Sequence, residues 1–326
     1  MDVFSAGGFI MNVDERNEKI SRLFFPFYRD RVDSLTNTSK RLVHYTSASA
    51  ALSILQKKKI WMRNVSVMND YQEVKYGAEQ FKNLRNSSQF DEFKAAFGDK
   101  ADAFGKVFDF AIAQFPEWEQ STYISCLSEH ENDEDELGRL SMWRGYGKGT
   151  GLAIVLRPNI FVSDFDVFHI STSPVEYMTH SDFKNGINRL IHNIKDAHDI
   201  IAMISENDLQ YFIENLIKFA VLSMKHPGFK EEKEWRIIAD INEVSEMNQA
   251  IIDVNGVPQK ILMIPLSDKM EDGKDGFSIN KNLDRIIIGP TPYPTVLKKA
   301  IVEELKKCNV EHPEQKVFVS DIPYRQ

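Results

Sequence analysis

Lys230-Glu231-Glu232-Lys233-Glu234-Trp235-Arg236-Ile237-Ile238 changes character in its middle. The first half is charged and turn-like. The second half, from Trp235 to Ile238, is aromatic and β-branched, which favours a buried strand. Carboxylates therefore crowd the mouth of a strand. A period of two puts Glu232 and Glu234 on one face and Lys233 and Trp235 on the other. A carboxylate at a strand mouth, desolvated by a neighbouring tryptophan, is one way to build a catalytic acid or base. The same stretch also reads as a surface charge run ahead of a core strand, with Arg236 pairing to one glutamate.

Working outward, His226-Pro227-Gly228-Phe229 separates this strand from a helical pattern over residues 181–225, with Ile187, Leu190, Ile191 and Ile194, then Leu209, Phe212, Ile213, Leu216 and Ile217, at helical spacing. Downstream, residues 248–256 read as a connection and 261–265 as a strand. A charged turn at 268–275 follows, then a strand and turn from Leu283 to Pro290. An amphipathic helix over 295–307 and a last strand at Val317-Phe318-Val319 complete the pattern. Upstream, Arg41-Leu42-Val43-His44-Tyr45-Thr46 reads as a short strand carrying His44 and Thr46 on one face. Ser47 or Ser49 then caps a helix ending at Lys57-Lys58-Lys59, and Ile60-Trp61-Met62 reads as a strand. Residues 71–118 are helical, broken near Gly98-Asp99; their phenylalanines at helical spacing read as core. Thr122 to Ser128 and Leu152 to Leu156 are strands, with shorter ones at 165–170 and 175–178.

These elements make an α+β domain over 41–326 with helical insertions at about 71–118 and 181–225. It follows a leader and helix over 1–40, in which Pro26 weakens or kinks the helix of 14–31.

Composition narrows the function. The chain has 326 residues, 42% hydrophobic and 27% charged, with a net charge of −8. That supports a large core and argues against a general nucleic-acid coat, which needs clustered Lys and Arg. Cys126 and Cys308 are too few and too far apart for a disulfide framework or a zinc site, and suit a reducing, cytoplasmic setting. No apolar run approaches the ~18 residues of a membrane span, and the first residues lack a signal-peptide pattern.

Several chemistries fail on spacing. There is no Gly-x-Ser-x-Gly elbow and no phosphate loop. Gly145, Gly147, Gly149 and Gly151 precede their strand, whereas a dinucleotide fingerprint needs strand, glycines, then helix; they permit tight turns or close approach of a ligand. Cys126 with His44 is a conceivable nucleophile pair, but a mid-strand cysteine suits a buried, inert thiol. Residues 129–136 hold six carboxylates in eight positions. They read as a solvated loop or, less simply, as a divalent-metal site without EF-hand glycine spacing; no metal is expected.

The order of the parts carries more than any one of them. His44-Tyr45-Thr46, Asn69-Asp70 with Glu73, Met142-Trp143 with Tyr146, and Glu234-Trp235-Arg236 resemble the pattern of a bacterial family, domain-of-unknown-function family 2971, over roughly 41–320. The His-x-Thr unit, the capped helix after it and the late glutamate strand also resemble the ADP-ribosyltransferase fold. That likeness implies a mixed or antiparallel split sheet, with NAD as substrate. It implies catalysis by Glu234 with Glu232 as helper, and adenosine-side ribose contacts from His44, supported by Tyr45 and Thr46. Tyr123 or Tyr146 would stack on nicotinamide, and Arg63 or Arg144 would meet the pyrophosphate. Trp143-Arg144-x-Tyr146 reads equally as an aromatic core edge, and Asn69, Asp70 and Glu73 as a helix cap.

The expectation is an NAD-using enzyme that transfers ADP-ribose to a macromolecular acceptor, protein or nucleic acid, or hydrolyses NAD. By resemblance it is a toxin or phage-defence effector. The alternatives are a non-catalytic module that senses a nucleotide or phage component, and a metal-dependent nuclease using 129–136.

Overall fold

The computed structural model describes residues 15–38, 40–68, 71–147, 149–158, 170–244, 249–254, 256–266 and 277–323, with the side chains of 15–18 and 71–73 excepted. The leader, Asn69, Asp70, the Glu73 side chain, most of the strand expected at 165–170 and the charged turn at 268–275 lie outside the described residues.

Two helices open the chain, α1 (Glu15–Phe24) and α2 (Pro26–Thr36). The kink expected at Pro26 is a break: proline stands at the start of α2, where its missing N–H costs nothing. β1 (Arg41–Ser47) follows, then α3 (Ala48–Lys57), capped by the Ser47 side chain accepting from Ala50 N. Next come β2 (Lys59–Asn64), α4 (Tyr71–Arg85), α5 (Ser88–Ala95), α6 (Ala101–Ala113) and α7 (Phe115–Ser121). β3 (Thr122–His130), α8 (Leu140–Tyr146), β4 (Gly151–Leu156), β5 (Ile170–Pro174) and β6 (Glu176–Tyr177) succeed them. α9 (His180–Asp196), α10 (His198–Met203), α11 (Glu206–Leu222), β7 (Met224–Lys225) and β8 (Glu234–Asp240) lead to β9 (Gln249–Val254), β10 (Val257–Pro265), α12 (Ile279–Asn282), β11 (Leu283–Ile288), α13 (Pro294–Lys307) and β12 (Val317–Val319).

Ten strands form one mixed, open sheet in the order β12-β11-β4-β1-β3-β2-β10-β9, with β8 and β5 joined on through β3. Its pairs are antiparallel except β11 with β12; β6 and β7 make a separate parallel pair. The centre is β3. On one edge it pairs with β8 from Thr122 to Ser128. The other edge is shared: β1 takes Ser128 to His130 and β2 takes Tyr123 and Ile124. Two arms of the sheet thus meet one edge of β3 and leave a gap between them. The Nδ1 of His44 closes it, 2.9 Å from the Cys126 carbonyl.

Residues 248–256, expected as a connection, include strand β9. Its Ile251, Ile252 and Val254 face a return strand across a turn at Gly256, φ 82°. Residues 140–146 form α8, with Gly145 its one glycine.

Register assigns the two faces. Leu42, His44 and Thr46 of β1 share a face with Tyr123, Leu127 and Glu129 of β3 and with Trp235 and Ile237 of β8. This face packs under α2, α3 and α13 through Leu35, Ile54, Leu55, Ile301 and Leu305. On the opposite face lie Val43 and Tyr45, Cys126 and Ser128, and Glu234 and Arg236. There α8 covers β1 and β4 through Trp143, and α11 reaches β3 and β8 through Leu222. The helices of 71–121 and 180–222 have their own aromatic core, with Phe97 stacked on Phe104 at 4.2 Å between centroids. Each such burial contributes about 2–3 kcal/mol. Among the described residues no helix is long and apolar enough to cross a membrane.

Candidate functional site

β8 begins at Glu234, not before it. Glu232 ends a 3-10 turn, Pro227–Glu232, and Lys233 turns the chain with φ 46° in the left-handed region. The period-two argument for Glu232 and Glu234 therefore fails, yet the two carboxylates converge. The link is Lys225 on β7, a fully buried ammonium 2.6 Å from Glu232 Oε2 and 3.1 Å from Glu234 Oε2. A lysine buried this deeply needs such pairing. Arg236, on the same face as Glu234, brings Nε to 2.8 Å from Glu234 Oε1 and also donates to the Leu222 carbonyl. The Glu234 N–H donates to the Tyr177 hydroxyl at 2.8 Å.

These charges decide the state of Glu234. Burial by itself raises its pKa; the Arg236 and Lys225 charges, with hydrogen bonds from Arg236 and Cys126, outweigh burial and bring it to about 2. Glu234 is thus an ionised carboxylate at neutral pH, suited to facing positive charge and unsuited to giving a proton. Cys126, opposite Arg236 in register, shows the converse. Burial, and then the Glu234 charge, push its thiol well above the ordinary value, so it is a neutral thiol and no nucleophile.

The turn that carries Glu232 is fastened from α8 and its approach. Arg139 donates to the Glu231 and Glu232 carbonyls at 2.9 and 3.2 Å and to the Glu129 carbonyl at 2.9 Å. Ser128 Oγ donates to the Glu232 carbonyl. The Tyr146 hydroxyl meets Glu232 Oε1 at 3.3 Å, and Phe229 lays its ring 4.7 Å from the Lys225 ammonium.

Of the residues expected at the site, Glu234, Glu232 and Tyr146 come together here. Tyr45 and Trp143 lie just behind: the Tyr45 hydroxyl accepts from Arg139 N, and its ring packs edge-on against Trp143 at 4.8 Å. Trp143 is buried, with Nε1 donating to the Leu137 carbonyl. A Cβ at Gly138 or Gly289 would stand 2.6 or 2.8 Å from its ring, and one at Gly151 3.1 Å. At these three positions the close approach is to Trp143. Arg144 is exposed on α8.

The other expected contacts are elsewhere. His44 and Thr46 lie on the opposite face from Glu234. The His44 imidazole lines a cavity of about 10 Å³ with Ile54, Ile60, Ile154, Leu156 and Phe277. Burial lowers its pKa, against the Cys126 carbonyl, which raises it. Tyr123 is buried on that same face. Arg63 spends its guanidinium on Gln259 and the Val67 carbonyl, at 3.0 and 2.7 Å. Lys225, Arg139 and Tyr177 escaped sequence reasoning. Lys225 follows a long apolar helix in a strand of two residues, too short for any periodicity to mark it.

The acidic run is only partly a solvated loop: Asp133 and Glu136 are exposed, and the other four carboxylates are engaged. Glu129 is buried and takes bonds from Arg31, from Lys40 and from the Trp235 indole at 3.0 Å. Lys233 pairs with Glu131, Arg139 with Glu134, and Arg41, Arg285 and His130 with Asp135. Among the described residues no group of three or more His, Cys, Asp and Glu is placed to hold a metal ion. Glu129, Glu131, Glu134 and Asp135 serve protein cations and tie β1, β3 and β11 to the turn before β8, while Asp133 and Glu136 are exposed.

A family model described as a protein of unknown function (DUF2971) matches residues 142–237. The match runs from α8 to β8 and so includes Trp143, Tyr146, Lys225, Glu232, Glu234 and Arg236. The likeness to that family is borne out over this stretch. No curated protein and no solved structure matches the chain.

Proposed function

We propose that the chain is an enzyme that uses NAD, with the Glu234 face of β8 as its working surface, and passes ADP-ribose to a macromolecular acceptor or to water. One observation carries this reading: a buried carboxylate held ionised by Lys225 and Arg236 beside a second, partly exposed carboxylate. Breaking the nicotinamide–ribose bond leaves positive charge on the ribose, and a fixed anion stabilises that charge without reorganising. Glu234 takes this role. Glu232, at 20% side-chain exposure, is its helper toward the ribose or the acceptor. The resemblance of Glu234-Trp235-Arg236-Ile237 to the glutamate strand of ADP-ribosyltransferases supports the same assignment. His44 takes no part at this face and holds the two arms of the sheet.

The test is nicotinamide release from NAD by the purified chain, followed by chromatography. Wild type releases it, and Glu234→Gln lowers the rate by a factor corresponding to about 3–4 kcal/mol of barrier while circular dichroism stays native. A wild-type chain that neither releases nicotinamide nor binds NAD by calorimetry sinks the proposal.

A second reading, a nucleotide-sensing interaction module without turnover, is favoured by the placement of His44 and Glu234 on opposite faces and by the pairing of both Glu234 oxygens. NAD binding that survives Glu234→Gln, with no nicotinamide released, would establish it.

A further inference from the structure

Lys57-Lys58-Lys59 is the longest run of cations in the chain. Lys306 and Lys307, on the helix that packs beside α3, are paired with Glu314 and Glu304. Among the described residues no ion pair or side-chain hydrogen bond reaches Lys57, Lys58 or Lys59. Lys57 ends α3 at the negative end of the helix dipole, Lys58 turns the chain with φ 49°, and Lys59 opens β2. The strand then alternates. Lys59, Trp61 and Arg63 share the sheet face of Ile124, which is also the face of Ser128 and Glu234. Of the four tryptophans, Trp118, Trp143 and Trp235 are buried and Trp61 is partly exposed. The exposed Lys57 side chain holds its ammonium 5.5 Å from the Trp61 ring centroid, so this ring face opens to solvent. Arg63, fixed by Gln259 and the Val67 carbonyl, adds its charge at the far end of the row.

We infer that Lys57, Lys59 and Trp61 form a binding surface for single-stranded nucleic acid, with a base stacked on the Trp61 ring and backbone phosphates on the two lysines. An aromatic ring flanked by cations without counter-ions complements this ligand in both of its parts: every base has a face to stack, and every phosphate a charge to meet. Stacking needs an open ring face and no cavity. Lys57 leaves the ring for a phosphate as a base takes its place. A duplex keeps its base faces in its own stack and offers the lysines alone a partner. The net charge of −8 makes this a local patch and not a general coat. The surface is read by binding and does not rest on NAD chemistry, so the two readings fail separately.

Oligothymidylate and oligouridylate are the probes, titrated into the full chain at low salt while tryptophan fluorescence is followed. Binding should quench the emission, and the tighter of the two tells a DNA from an RNA strand. Trp61→Leu should remove the quench and weaken binding, measured by anisotropy of a labelled oligonucleotide, about tenfold. The double variant Lys57→Gln, Lys59→Gln removes two exposed or half-exposed charges and no core contact. It should weaken binding and lower the slope of log affinity against log salt by about 1.4. Native circular dichroism shows that each variant is folded. No binding of either oligonucleotide overturns the inference. So does a quench that survives Trp61→Leu, or a salt slope unchanged in the lysine variant, because the strand then lies elsewhere. A duplex of the same length bound as tightly removes the stacking assignment, and polyglutamate bound as tightly turns the surface over to an acidic protein partner.

Discussion

His44 and Glu234 lie two strands apart in one sheet and point to opposite faces. Val43, not His44, shares the row with Ser128 and Glu234. The imidazole instead spans the gap where the two arms meet β3, on the Cys126 carbonyl. A role for His44 is therefore separable from one for Glu234. His44→Ala strands that carbonyl and should cost about 1–3 kcal/mol of stability in urea unfolding. It should leave nicotinamide release from NAD unchanged. A loss of that release with stability intact would put His44 back at the working face.

Glu234→Gln leaves Lys225 and Arg236 buried with one fewer anion. Breaking a buried pair by removing one partner costs about 3–5 kcal/mol. Urea unfolding of the variant should show a loss of that order. A variant as stable as wild type would mean that the carboxylate is not committed to the two cations.

Two acid-side losses of stability should appear. The folded pKa of Glu234 is about 2 against an ordinary 4.5. Between these values the unfolded chain holds more protons, so this contribution is present above pH 4.5 and is lost as pH falls toward about 2. His130 is buried and pulled below its ordinary 6.5 by that burial, against Asp135 and Glu134, which raise it. Its contribution is full above pH 6.5 and falls as the unfolded chain takes up a proton that the folded chain resists. His44, also lowered by burial, shares that direction. Unfolding free energy should decline first just below neutrality and again in strong acid, and His130→Gln should flatten the upper decline.

Four of the six carboxylates of residues 129–136, Glu129, Glu131, Glu134 and Asp135, are engaged by Arg31, Lys40, Arg41, Arg139, Lys233 and Arg285. Millimolar magnesium or calcium should therefore leave the melting temperature unchanged, and chelator should do the same. A clear upward shift with either ion would show that these pairs yield to a metal.

Much of this architecture was legible in the sequence, for reasons that differ by element. β1, β3, β4 and β11 are runs of β-branched and aromatic residues buried on both faces, and local preference agrees with their final setting. The helices of 71–121 and 180–222 showed their apolar faces through phenylalanine and isoleucine spacing. β9 was missed because Ile251 is exposed and Asp253 interrupts the run, so the turn at Gly256 was the better signal. α8 was missed because it is only seven residues long and carries Gly145 in its last turn, too short for a helical period to show. At the site, Glu234 and Glu232 could be singled out as carboxylates at a strand mouth. Their partner Lys225 could not, since only tertiary structure brings β7 beside β8. The acidic run carried its charge openly but not its partners, which are dispersed from Arg31 to Arg285.

Trp143 fills a space that Gly138, Gly151 and Gly289 leave open. With the indole in place, a methyl group at 289 forces the ring to move, and Gly289→Ala should cost about 1–3 kcal/mol. With a leucine at 143 the same methyl group meets far less. At 151 the Gly147 Cα would stand 2.8 Å from a Cβ, so glycine is required there whatever residue fills 143. Positions 143 and 289 are coupled: Gly289→Ala should cost less in a Trp143→Leu background than in the wild-type chain.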